Sequence, residues 1–351
     1  MEEYARFVLD DAGLSAAIKE TRHAMVECFR RVEIPPSGAF DGGSSPPTGG
    51  GATALIGSRD ITGDVGREIG TEGEYERADA AQVAHAAAGR LSEALRVIEE
   101  YGKIIDPAFA AAIEKIRYQG YELERRLALT TQARKRFGDV RLYVLLTEEL
   151  CRGDWFETAE AALRGGADCL QLREKNLGDR ELLERAKRLV TLCREHGAML
   201  IVNDRPDVAT ASGAHGVHLG QEDFPIAAVR RIVGATCAVG VSTHTIEQVR
   251  AAAEQAPDYI AVGPMFDSLT KPQRHIAGPA LLREARKLTA LPLVAIGGIS
   301  EESAEEVLGS APCCLCVCQA VISQPNVEAA TRRLRAIVNN RLPSITSAAD
   351  V

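Results

Sequence analysis

Residues 141–204 read RLYVLLTEELCRGDWFETAEAALRGGADCLQLREKNLGDRELLERAKRLVTLCREHGAMLIVND, and two periods alternate within them. The apolar runs Leu142–Thr147, Cys169–Arg173 and Leu200–Asp204 have the length of buried strands. Between the last two, Asp179–His196 sets its apolar residues at helical spacing among charges. Strand, helix and strand in this order imply parallel strands joined by crossover helices. The alternation continues with runs at Gly216–Gly220, Ala238–Thr243, Tyr259–Gly263, Leu293–Gly297 and Leu315–Gln319, and with helical patterns at Thr245–Gln255 and Pro279–Leu288. Eight such units in about 200 residues match an α/β fold of the (β/α)8 TIM-barrel type. A doubly wound open sheet is the fallback, but the segment has no nucleotide-binding glycine fingerprint.

Active residues of such a barrel sit where strands end. The second run leads into Gln171-Leu172-Arg173-Glu174-Lys175, and strand alternation turns Gln171, Arg173 and Lys175 inward. The third ends in Asn203-Asp204, the fourth in Gly220-Gln221-Glu222-Asp223 and the fifth in Ser242-Thr243-His244. After the sixth come Ser268, Thr270 and Lys271, after the seventh Gly297-Gly298, and the eighth closes on Cys318-Gln319. Carboxylates among cations at one rim point to Mg²⁺ bridging a phosphate, with Arg and Lys on the remaining oxygens. Gly297-Gly298 lets backbone N–H groups approach a second phosphate. Two phosphorylated ligands are therefore expected.

Upstream, residues 1–135 read as a helical domain, and 136–351 as the barrel domain. The stretch PPSGAFDGGSSPPTGGG, Pro35 to Gly51, cannot bury a core, so a flexible loop is expected over about 35–77. The helical patterns around it repeat. Glu2-Glu3-Tyr4, Asp11, Ala16-Ala17-Ile18 and Arg22 recur as Glu99-Glu100-Tyr101, Asp106, Ala111-Ala112-Ile113 and Arg117. The second copy is preceded by an amphipathic helix, Ala80 to Glu100, for which the first has no counterpart; a late start or a trimmed domain would account for that. Arg134-Lys135-Arg136 reads as a basic turn between domains.

Net charge is −8, which argues against nucleic acid as partner and makes anionic substrates depend on local cations or a metal. The chain has no apolar run of the roughly 18 residues a membrane span needs, and the acidic start does not resemble a signal peptide. Nine cysteines, an odd number, read as free thiols in a reducing cytoplasm. The four at 313, 314, 316 and 318 suit packing in the eighth strand better than metal binding. His215, His218 and His244 read as packed or hydrogen-bonded, since alternation separates the first two. Asp204 and Asp223 each precede a helix and could serve only as caps.

QLREK, the ND pair, VHLGQED, GVSTH, GP-F-S-L-TK and AIGGI, in this order between Arg141 and Leu334, resemble the thiamine-phosphate synthases. The helical part is similar to an N-terminal domain fused to some bacterial members. The resemblance implies a dissociative, Mg²⁺-assisted transferase that condenses a hydroxymethylpyrimidine diphosphate with a hydroxyethylthiazole phosphate, or its carboxylated form; the sequence leaves room for a homo-oligomer. It implies Asp204 and Asp223 as Mg²⁺ ligands, and Gln171, Arg173, Lys175, Asn203 and Lys271 around the diphosphate and pyrimidine. Ser242 would lie near the reacting groups, with Arg173 and Lys271 sharing the catalytic work. Ser268, Thr270, Gly298 and the backbone near Cys318 and Gln319 would hold the thiazole phosphate. Ser268 stands where the pattern has Thr, and Gln319 where it has a small Ser. A thiazole tautomerase-like barrel has no use for the diphosphate residues, and a non-catalytic ligand-sensing barrel has no use for the intact rim; both are the competing readings.

Overall fold

The computed structural model describes residues 1–7, 9, 11–31, 77, 79–267 and 276–342. Apart from Arg77, the segment expected to be a flexible loop lies outside the described residues, as do Ser268, Thr270 and Lys271. The chain forms two compact units whose main boundary falls between Ala128 and Leu129.

The first unit contains α1 (Glu2–Phe7), α2 (Ala12–Arg31), α3 (Ala80–Ile105) and most of α4 (Pro107–Gly138). Asp79 starts α3 by accepting the Gln82 N–H at 2.9 Å. Asp106 separates α3 from α4: its amide closes back on Gly102 O, and its carboxylate accepts the Ala108 N–H at 2.8 Å. Leu95, Phe109, Ile113 and Ile116 form the core, with Met25, Cys28, Leu91 and Ile98 against them. The repeat seen in the sequence reappears as a repeated ion pair, Glu2 with Arg22 at 3.3 Å and Glu99 with Arg117 at 2.6 Å. The second pair is buried, and Arg117 also donates to the Tyr121 hydroxyl, so that its charge is not left unpartnered. Arg134, Lys135 and Arg136 are not a turn: α4 continues through them to Gly138, with no glycine or proline between Gly120 and that residue.

In the second unit β1 (Leu142–Leu146), β2 (Cys169–Leu172), β3 (Met199–Asn203), β4 (Gly216–Leu219), β5 (Ala238–Thr243), β6 (Tyr259–Val262), β7 (Leu293–Ile296) and β8 (Cys314–Val317) form a closed barrel. Each strand is parallel to the next, and β8 returns to β1 through Leu142–Leu315, Tyr143–Cys316 and Val144–Val317. Alternation divides the side chains. Leu142, Val144, Leu146, Leu170, Leu172, Leu200 and Val202 belong to the layer shared with the surrounding helices, whereas Tyr143, Leu145, Cys169, Met199, Ile201, Tyr259 and Cys316 make the inner cluster. Among the described residues, no helix is long and apolar enough to cross a membrane.

The base of the barrel is closed by aromatics. The Phe137 ring stacks on Tyr259 with centroids 3.8 Å apart and meets Tyr143 edge-on at 6.2 Å. Room for the Tyr259 ring comes from Gly240 on the neighbouring strand, where a Cβ would overlap the phenol carbons. Asp168 ties the same end together by accepting the N–H groups of Arg141 and Leu142 and pairing with Arg335. Phe137 is almost fully buried, so Phe137→Ala is expected to destabilise the barrel by about 3–5 kcal/mol, the usual cost of deleting a core phenyl ring. Urea unfolding followed by barrel Trp155 fluorescence measures it, and an unchanged midpoint would show that the ring does not close the base.

Candidate active site

The barrel's C-terminal rim encloses a cavity of about 780 Å³. Gln171, Arg173, Lys175, Asn203, Asp204, Asp223, Ser242, Gly298, Cys318 and Gln319 all line it. Six strands, β2 to β5, β7 and β8, thus deliver these residues to one space, as a closed barrel requires. Glu174, between Arg173 and Lys175, turns away and accepts the Glu148 N–H at 2.6 Å, which is the alternation expected after β2.

Asp204 leaves β3 with φ 60, a left-handed conformation that Asp tolerates better than most residues, while its N–H donates to His218 O at 2.8 Å. Asp223 returns across the β4 loop and accepts the Gly220 N–H at 2.6 Å. Neither carboxylate caps a helix: the following helices start at Pro206 and Ile226, with Arg205 and Pro225 at their caps and no side-chain cap bond. Instead the two carboxyls face each other. Burial, followed by the hydrogen bond and charge of Asp223, raises the Asp204 pKa above its ordinary value of 3.8, with Lys175 and Arg173 opposing the rise. A half-buried carboxylate pair beside two cations suits a hard divalent cation with oxygen ligands and room for substrate oxygens.

Across the cavity, Gly297 and Gly298 both have positive φ, 97 and 67. A Cβ on Gly298 would strike the carbonyl oxygens of Phe266 and Asp267, so only glycine allows the turn and leaves the strand-7 end open. Gln319 follows β8, and its carbonyl accepts from Gln324 Nε2 at 3.3 Å. Cys314 and Cys316 lie inside the barrel, where burial pushes their thiols up; Cys313, on the outer layer, is pushed up to about 12. These buried cysteines serve as small apolar filling.

His218 and His244, expected to be packed or hydrogen-bonded, are so placed, and Gln221 and Gln248 join them in the cavity wall. His244 Nδ1 approaches Gly263 O at 2.7 Å, and its N–H donates to Gln248 Oε1 at 2.7 Å. Gln221 Nε2 donates to Ser242 O at 2.5 Å. These amides stand one or two residues beyond the strand ends or in a first helical turn, so their signal is positional. His218 is buried, and its ring touches Ser242 Oγ at 2.8 Å.

With this rim in view, the comparisons with known proteins are specific. The model of the family described as thiamine monophosphate synthase matches residues 142–321, and that of the ThiD2 family matches residues 46–126. A thiamine-phosphate synthase of Rhodopirellula baltica is 40% identical over 321 residues, covering 88% of this chain and 80% of its own. One from Thermosynechococcus vestitus is 35% identical and covers 98% and 92%. The chain belongs to the thiamine-phosphate synthase family. A solved thiamine phosphate pyrophosphorylase from Pyrococcus furiosus superposes with TM-score 0.55 at 36% identity, covering 59% of this chain and 99% of that one. Membership makes the chain a transferase of thiamine biosynthesis acting on small molecules, and sets aside the ligand-sensing barrel.

The raised Asp204 pKa has a direct consequence for the metal-free protein. The folded chain holds the Asp204 proton more tightly than the unfolded chain, so the ionised form costs stability once the pH rises above about 3.8. That cost vanishes as the pH falls below this value. Asp204→Asn is therefore expected to raise the melting temperature at pH 7 and to lose this advantage in acid. A variant that melts lower at pH 7 would mean that the carboxylate pair is not held under repulsion.

Proposed function

We propose that the cavity joins 4-amino-2-methyl-5-hydroxymethylpyrimidine diphosphate to 4-methyl-5-(2-hydroxyethyl)thiazole phosphate, or to its carboxylated form, releasing thiamine phosphate and pyrophosphate and, from the carboxylated form, also carbon dioxide. The observation that carries this reading is the Asp204–Asp223 pair beside Arg173 and Lys175 in the same cavity as the glycine turn Gly297-Gly298 at the end of β7. The charged group suits a diphosphate and the glycine turn a monophosphate. A thiazole tautomerase would need only the second.

In this reading Asp204 and Asp223 hold Mg²⁺, which when bound supplies positive charge against the oxygens of the departing diphosphate. Arg173 and Lys175 hold the remaining oxygens by charge-assisted hydrogen bonds. The carbon–oxygen bond to the diphosphate breaks, pyrophosphate takes the electron pair, and the pyrimidine methylene is left as a carbocation. The thiazole nitrogen then donates its lone pair to that carbon. Gln171 and Asn203 orient the pyrimidine end, and Ser242 lies beside the breaking bond. Gly298 and the backbone near Cys318 and Gln319 take the thiazole phosphate. Lys271, Ser268 and Thr270 are assigned from the motif, Lys271 to the diphosphate and the two hydroxyls to the thiazole phosphate. Charge that accumulates on the leaving group is met by groups already in place, which lowers the barrier more than it tightens ground-state binding.

The test is turnover of both substrates with and without Mg²⁺, with thiamine phosphate followed by chromatography. Product is expected only with the metal. Asp204→Ala and Lys175→Ala are each expected to lower kcat by roughly a hundredfold or more, the scale seen when one preorganised charge-stabilising group is removed, without loss of the folded transition. Near-normal rates in either variant would overturn the assignment of the diphosphate site.

A further inference from the structure

Beneath the cavity floor, five side chains form one hydrogen-bonded chain across the barrel interior. Gln171 Nε2 donates to the Tyr143 hydroxyl at 2.6 Å, and the Tyr143 and Tyr259 hydroxyls lie 3.3 Å apart. Tyr259 OH stands 2.9 Å from His218 Nδ1, and His218 Nε2 stands 2.8 Å from Ser242 Oγ. Gln171 and Ser242 line the cavity at the two ends, while Tyr143 and Tyr259 are 1% and 0% exposed. A barrel interior is ordinarily filled by branched aliphatics. Three polar rings in this place need partners to be tolerated, and each has found one within the chain.

Such a chain has a direction. With the Gln171 amide donating at one end, the Tyr143 hydroxyl has its own hydrogen left for Tyr259. Tyr259 then donates to His218 Nδ1, and the remaining ring hydrogen, on Nε2, donates to Ser242 Oγ. The Ser242 hydrogen is left to point into the cavity, and so is the Gln171 amide oxygen. We propose that Tyr143, Tyr259 and His218 are positioning residues that hold Ser242 as a hydrogen-bond donor, and Gln171 as an acceptor, towards the bound pyrimidine diphosphate. Burial supports one fixed direction: it holds both phenols protonated, so that Tyr259 keeps a hydrogen to give to His218 Nδ1. A donor at Ser242 strengthens as negative charge grows on the leaving oxygen, and an acceptor at Gln171 matches an exocyclic amino group. The inference rests on the proposed function, since it acts through Ser242 and Gln171.

Tyr259→Phe tests it in the full-length chain with Mg²⁺ and both substrates, because the phenyl ring can keep its stack on Phe137. The expected result is a kcat about tenfold lower, the order of one hydrogen bond to a charged group, with the KM for the thiazole phosphate within twofold. Ser242→Ala is expected to be slow, and the double variant no slower than Ser242→Ala alone. His218→Gln, which can keep an N–H towards Ser242, is expected to retain more activity than His218→Leu. If Ser242→Ala turns over normally, the placing of Ser242 in the site fails, and the relay with it. If Ser242→Ala is slow but Tyr259→Phe is normal, the relay alone fails. Multiplying defects in the double variant, or equal rates for the two His218 variants, would likewise overturn it.

Discussion

Closure of eight short parallel strands is the constraint from which the rest of the barrel unit follows. Once β8 pairs with β1, each strand has one face towards the axis and one towards the helices, and every strand end opens on the same rim. A polar residue at the right parity near a strand end then has nowhere to go but the cavity. This explains why Gln171, Arg173 and Lys175 share a space while Glu174 bonds to the opposite side. It also explains why the base needs a separate solution. The inner residues there are Tyr143 and Tyr259, and Phe137 from the end of α4 covers them.

The rim concentrates opposed charges at a place where water is partly excluded. Burial and the neighbouring Asp223 raise the cost of ionising Asp204, and Lys175 and Arg173 relieve only part of it. An arrangement of this kind is poor for stability and good for binding something positive between the carboxylates and something negative beside the cations. The left-handed backbone at Asp204 belongs to the same pattern of local strain held by its surroundings, here by the bond to His218 O.

Much of this was readable from residues alone, because the information is periodic. The eight runs are visible as apolar stretches of strand length, and each strand in the structure lies within two residues of its run at either end, as Cys314–Val317 does against Leu315–Gln319. The Asp204, Asp223 and Gly297-Gly298 positions were legible because they follow strands. The interior chain was not. Tyr143, Tyr259 and His218 sit inside apolar runs, where an aromatic normally reads as filling, and their meeting depends on register across β1, β4 and β6. The basic triplet 134–136 has the charge of a linker but no glycine or proline, and the helix runs through it.

Gly240 has no functional group, yet it borders the Tyr259 ring so closely that no side chain fits between them. Its neighbours on the same strand include Ser242, two positions on and facing the same way. The two positions are therefore bound together in their history. A larger residue at 240 becomes admissible only after a smaller one has replaced Tyr259, and Tyr259 can arise only where 240 has already lost its side chain. A sequence that leaves the glycine–tyrosine state must therefore change at 259 first, because the ring at 259 bars any side chain at 240.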